Sequence, residues 1–142
     1  MGFFVTTAGE GVRERVASLK DAGQYLESHA LGSLAVETAE ATAEWLHAEM
    51  RRRWGFGDPP DMTMDRRFKV DYRGCRYSFG YPACPDLADQ ARLFRLLEPE
   101  EIGVTLTEGF MMDPEASVSA LVVHHPDARY FSVGNTEIVG AV

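Results

Sequence analysis

The apolar positions of this chain change period several times, and each change predicts an element. Residues 3–6 form a short β-prone run that ends before Gly9, the pattern of a strand entering a turn. Over residues 10–20, Val12, Val16 and Leu19 return at helical spacing, and Gly23 marks a break. A long helix is predicted from about Tyr25 to Trp54. There Leu31, Leu34, Thr38, Ala41, Trp45 and Ala48 recur every three or four residues as one apolar stripe. The many alanines beside it favour helix and permit close packing. Arg51, Arg52 and Arg53 meet the negative end of the helix dipole, and Gly55 follows as a C-terminal cap. Glu37, Glu40 and Glu44 fall roughly opposite the stripe and read as a solvated acidic face.

The remainder is more broken. Residues 56–65 are a proline-rich connection short enough to join elements of one domain. Asp86 is placed to cap a helix whose face carries Leu87, Ala91, Phe94 and Leu97 and which Pro99 ends. Residues 104–107 alternate like a strand. Residues 117–124 and 129–133 are β-prone, and His125, Pro126, Asp127 and Ala128 between them predict an antiparallel hairpin. Helices first and strands later give an α+β expectation: a long helix and shorter helices packed on a twisted antiparallel sheet.

Composition narrows the class. A chain of 142 residues, 45% apolar, suits a single domain over residues 1–142 with one core. A net charge of −8 argues against nucleic acid and against an anionic membrane surface as partners. The apolar runs fall short of a membrane span and no signal-like leader opens the chain, so a cytoplasmic protein is expected. Cys75 and Cys84 are expected as reduced thiols.

Candidate chemistry concentrates in residues 76–90, RYSFGYPACPDLADQ. Gly80 opens backbone angles closed to other residues and lets a ligand approach the main chain. Pro82 and Pro85 fix their own φ and press Tyr81 and Cys84 towards extended geometry. The stretch therefore reads as a stiff irregular loop suited to a flat heterocycle beside an anionic group. Arg76 supplies a planar fork for a carboxylate or phosphate. Neighbouring His124 and His125 point to opposite faces of a strand and do not chelate one ion, so no metal site is expected. Cys84 has no assignable activating group, and no catalytic residue is expected in the chain.

The pattern Arg-x-x-x-Gly-Tyr-Pro-Ala-Cys-Pro, residues 76–85, resembles the signature of the activation domain of cobalamin-dependent methionine synthase. So, in the same order, do FFVTTAGEG, AEATAEWLHAE and IGVTLTEGFMMDPEASVSALVVHHPDARYFSV, which together span nearly the whole chain. The resemblance implies binding of S-adenosylmethionine, with Arg76 on its carboxylate. The backbone of Gly80, Tyr81, Pro82, Ala83 and Cys84 would meet the adenosyl portion, and Tyr130 and Phe131 would close the site. Glu40 aligns with a glutamate near the ligand or near the contact with the cobalamin domain. The implied role is support of the reductive methylation of cob(II)alamin held by a partner domain, with a flavodoxin-type or similar reductant. Such a donor is usually acidic, so docking would call for a basic patch, for which Arg51, Arg52, Arg53, Arg66 and Arg67 are the candidates. The resemblance also implies that these residues correspond to the C-terminal part of a domain about twice as long. They are then either a fragment or a naturally short relative. The alternative function is a docking module that caps the cobalamin domain or receives the reductant without binding S-adenosylmethionine.

Overall fold

The computed structural model describes residues 1–129. Its elements, in order, are β1 (Gly2–Thr7), α1 (Val12–Asp21), α2 (Tyr25–Arg53), α3 (Met64–Phe68), β2 (Cys75–Tyr77), α4 (Gln90–Leu97), β3 (Thr105–Leu106), β4 (Met112–Asp113) and β5 (Ser117–Val123). β1 and β2 flank β5, both antiparallel to it, with Phe4 opposite Ala120 and Arg76 opposite Val122. β3 and β4 form a separate two-stranded ribbon.

The central strand β5 shows why this sheet is covered on both sides. Its side chains alternate, so Val118, Ala120 and Val122 face one way and Ser117 and Ser119 the other, and all five are buried. The apolar side meets Phe4 and the α2 residues Ala39 and Ala43, with Leu46 and Met50 at the margin. On the opposite side Ser119 Oγ donates to Gln90 Oε1 of α4 at 2.7 Å, and Gln90 Nε2 donates to the Phe110 carbonyl at 2.8 Å. A buried hydroxyl and amide are thereby satisfied. α1 lies along the first half of α2, where Ser28 Oγ donates to the Val16 carbonyl at 2.9 Å.

The α+β expectation and the long helix agree with this architecture, but the buried face of α2 does not match the predicted stripe. Ser28, Ala35, Ala39, Ala43, His47 and Arg51 are buried, whereas Leu34 and Trp45 are 65% and 64% exposed. The helix carries two apolar lines, and the sheet takes the one with small side chains because alanine lets helix and strand backbones approach closely. Periodicity alone does not distinguish the two. The stretch from Arg76 is also more regular than expected. Arg76 and Tyr77 belong to β2, residues 87–89 form a 3-10 turn capped by Asp86 through the Ala88 N–H, and Gln90 opens α4. The irregular part is residues 78–86. Of the predicted hairpin, the first strand is β5; the second lies, beyond Arg129, outside the described residues.

Gly74 turns the chain into β2 at φ 86°, where a Cβ would stand 2.7 Å from the Val123 carbonyl oxygen. Gly74→Ala is expected to lower stability by about 2 kcal/mol, because neither the backbone angle nor the space suits a side chain. A lower denaturant midpoint at unchanged slope is the readout.

Candidate functional site

β2 is three residues long, and its alternation decides where the candidate arginine goes. Arg76 pairs with Val122 and shares its side of the sheet, the side that α2 covers; Cys75 and Tyr77 take the other. Glu40 and Glu44 stand one turn apart on α2 and so project from the same side of the helix. Arg76 Nη1 and Nη2 both donate to Glu40 Oε2, at 3.3 and 3.4 Å, and Nη2 lies 4.0 Å from Glu44 Oε2. The arginine side chain is 19% exposed and that of Glu40 is 51%.

Behind this pair lies a second layer. Tyr72 OH donates to Glu44 Oε2 at 3.3 Å. The Arg51 guanidinium lies 3.8 Å over the Tyr72 ring, and His47 meets the same ring edge-on at 5.4 Å. Arg51 Nε and Nη2 each donate to an oxygen of Asp58 at 2.8 Å, and Arg67 Nη2 donates to Asp58 Oδ2 at 3.1 Å. Three carboxylates (Glu40, Glu44, Asp58) thus face three guanidinium groups (Arg51, Arg67, Arg76), a locally neutral cluster at the α2–β2 junction. The opposite charges lower the cost of burying each one.

The titration behaviour follows from that packing. Burial raises the Glu44 carboxyl above its ordinary value, opposed by Arg51 and Arg76. Burial also pushes Tyr72 up to about 12, with the Glu44 charge adding to it. His47 is lowered to about 3, first by burial and then by the Arg51 charge. Asp58 is lowered chiefly by its hydrogen bonds from Arg51.

The glycine–proline loop closes on itself. Gly80, at φ 84°, donates its N–H to the Cys84 carbonyl at 2.8 Å, and the Cys84 N–H donates to the Tyr81 carbonyl at 2.8 Å. Tyr81, Pro82 and Ala83 form the tip, and Tyr81 is 57% exposed. A Cβ at Gly80 would come within 3.0 Å of Leu87, so the turn is packed against the start of the following 3-10 turn. Burial, and then the Asp89 charge, raises the Cys84 thiol, which keeps it protonated at neutral pH. Tyr130 and Phe131 lie outside the described residues. The last described residue, Arg129, accepts a 2.8 Å hydrogen bond at its carbonyl from Tyr77 OH, which ties the chain beside β2.

Of the residues expected to form the site, the structure joins Arg76 to Glu40 and closes Gly80, Tyr81, Pro82, Ala83 and Cys84 into one turn. Sequence reasoning missed Glu44, Tyr72, Arg51 and His47 as a supporting layer. The available signal was the four-residue spacing Ala35, Ala39, Ala43, His47 and Arg51, which continues one helix face into polar residues. The candidate basic patch is not a bare one. Arg51 and Arg67 hold Asp58, Arg52 and Arg53 hold Glu49, and Arg66 holds Asp71. Among the described residues no group of three or more His, Cys, Asp or Glu is placed to hold a metal ion, and no helix is long and apolar enough to cross a membrane.

Comparison with known proteins adds to this geometry. Residues 1–138 match the family model described as vitamin B12 dependent methionine synthase, activation domain. The chain is 47% identical over 116 residues to methionine synthase of Mycobacterium tuberculosis, covering 77% of this chain and 9% of that protein. It is 40% identical over 141 residues to methionine synthase of Mycobacterium leprae, covering 92% and 11% respectively. It therefore spans about a tenth of the length of these relatives. Among solved structures it is similar to the MetH reactivation domain bound to AdoHcy, with a TM-score of 0.86 and 32% identity over 92% of this chain and 41% of that one. With the match extending over nearly its whole length, the chain belongs to the family of vitamin B12 dependent methionine synthase activation domains.

Proposed function

We propose that this chain supplies one wall of an S-adenosylmethionine site and so supports the reductive remethylation of cobalamin in methionine synthase. The observation that carries the reading is Arg76. It is a mostly buried guanidinium already engaged by a carboxylate, on the strand that leads into the turn closed by Gly80 and Cys84. A guanidinium in that setting suits the carboxylate of an amino-acid ligand. The solved relative is described with AdoHcy, which shares its amino-acid end and adenosyl group with S-adenosylmethionine.

In this reading Arg76 holds the carboxylate and the backbone of residues 80–84 lies against the adenosyl portion. Tyr130 and Phe131 form the facing wall, and Glu40 stands near the ligand or at the contact with the cobalamin-binding domain. Cobalamin, held by that partner domain, supplies the cobalt that accepts the methyl group. No residue named here moves a proton or forms a bond in the transfer, so the contribution of this chain is orientation. Residues 1–142 act as one unit corresponding to the C-terminal part of the activation domain. The further partner is a flavodoxin-type or similar reductant, and the setting is the cytoplasm.

A docking role has its own supporting observation. Leu34 and Trp45 are exposed on the outer face of α2, with Thr38 and Ala41 between them in a shallow apolar groove. Exposed patches of this kind mark interaction surfaces.

Titration calorimetry separates the two readings. S-adenosylmethionine is expected to bind saturably, and Arg76→Ala is expected to weaken it about 10- to 100-fold, the range for a lost hydrogen bond to a charged group. A folded chain that takes up no ligand would leave the docking role alone standing.

A further inference from the structure

Arg76 has two carboxylate neighbours on α2, and the structure treats them differently. Glu40 is half exposed, and a single one of its oxygens receives both arginine nitrogens at long range. Water and a ligand carboxylate can both compete for that contact. Glu44 is only 25% exposed and is held from behind. Its Oε2 accepts from Tyr72 OH at 3.3 Å, and its Oε1 lies 3.9 Å from Arg51 Nη2. Tyr72 is itself fixed between the Arg51 guanidinium on its face and His47 at its edge, and Arg51 is locked by the Asp58 fork. Every group behind Glu44 thus has a second contact of its own, whereas Glu40 has no comparable support among the described residues.

We propose that Glu44 is a positioning residue for Arg76: it anchors the guanidinium from the protein side while Glu40 yields its place to the carboxylate of the ligand. The inference rests on the S-adenosylmethionine reading above. It adds that the fork is aimed before the ligand arrives by the chain Asp58–Arg51–Tyr72–Glu44. A pre-aimed fork loses less side-chain freedom on binding, and that saving appears as affinity. The amino-acid end of the ligand carries both a carboxylate and an ammonium, so the negative charge of Glu44 exerts no one-sided repulsion on it. What Glu44→Gln removes is the charged anchor, with the shape of the side chain and an acceptor for Tyr72 retained.

The test is titration of the 142-residue protein with S-adenosylhomocysteine, in wild type, Glu44→Gln, Tyr72→Phe, Arg76→Ala and the Glu44→Gln/Arg76→Ala double variant. Glu44→Gln is expected to raise Kd about 3- to 10-fold, and Tyr72→Phe to raise it by less in the same direction. The double variant is expected to bind no worse than Arg76→Ala alone, because an anchor has no effect once its cargo is gone. Glu49→Gln, on the same helix but paired with Arg52 and Arg53 rather than with Arg76, is expected to leave Kd unchanged. Equal affinity of wild type and Glu44→Gln overturns the inference and leaves the S-adenosylmethionine reading in place. A Glu44→Gln loss that persists undiminished in the Arg76→Ala background also overturns it, since that marks a general structural effect. Absence of binding by folded wild type overturns the functional reading and this inference together. Should Glu44→Gln fail to fold, Tyr72→Phe carries the comparison, and an unchanged Kd there counts against the proposal.

Discussion

Replacing Arg51 with alanine is expected to lower the unfolding free energy by about 3–5 kcal/mol, the range for breaking a buried ion pair from one side. Arg51 is 1% exposed, and its loss strands Asp58, whose side chain is 10% exposed and which then keeps only Arg67 among the described residues. It also uncovers the face of Tyr72 and the buried Oε1 of Glu44. Arg52 is the built-in control. It is the next residue on the same helix, yet its side chain is 68% exposed and, among the described residues, pairs only with Glu49. Arg52→Ala is expected to change stability far less, because an exposed pair is screened by water. Chemical denaturation of both variants measures the contrast, and similar costs at the two positions would refute the account of a buried fork.

The second large effect is a loss of stability in acid that runs through His47. Its ordinary value is 6.5 and its folded value about 3, because the ring is 0% exposed and stands near Arg51. Between those limits the unfolded chain binds a proton that the folded chain refuses. The contribution is therefore complete above pH 6.5 and is lost as pH falls towards 3. At 1.36 kcal/mol per unit, the span amounts to roughly 4–5 kcal/mol. Glu44 acts with the opposite sign. Its raised folded value favours the native state at low pH, and that contribution fades as pH rises above 4.5 through the folded value. Asp58, lowered in the fold, adds a further loss as pH falls below 3.8. Neither ring nitrogen of His47 has a hydrogen-bond partner among the described residues, so His47→Phe leaves no polar group of that ring unpaired. Its denaturant midpoint is expected to vary much less between pH 6.5 and 4 than that of wild type. A variant that keeps the full acid dependence would assign it to other groups.

Both effects arise in the layer behind Arg76, which bears on the function proposed for it. Arg76 sits on a strand of three residues, outermost in its sheet among the described residues, and a strand that short does not hold a long side chain in one place unaided. The helix supplies the restraint from across the junction through Glu40 and Glu44. On the proposed reading, stability and ligand orientation share one set of groups, and the cost of burying charge at Arg51 and Asp58 would have a functional counterpart.

Particular residues show how far reading the chain in one dimension reached. The strand at residues 3–6, the helix from Tyr25, its arginine end and the Asp86 cap were legible because each depends on neighbours within about four positions. Arg76 and the Gly80 turn stood out for the same reason: a glycine, two prolines and a cation in ten residues constrain their own backbone. The choice of buried face on α2 was not legible. Leu34 and Trp45 are more apolar than Ala39 and Ala43, yet the sheet took the alanines, because packing distance outweighed side-chain hydrophobicity at that contact. In the sequence Glu44 is one of three acids and Arg51 one of three like cations, and nothing local separates either from its neighbours.

The sequence by itself determined the α+β class, the long helix, the stiff turn at residues 80–84 and the arginine ahead of it, since all of these are set by short-range backbone and periodic constraints. Only the tertiary structure decided that Arg76 meets Glu40 and Glu44 across 36 and 32 residues of chain, and that Arg51, His47, Asp58 and Tyr72 form the layer behind them. Those pairings depend on the register of β2 against β5 and on which face of α2 the sheet accepts. Both are choices made by packing between segments far apart in the chain.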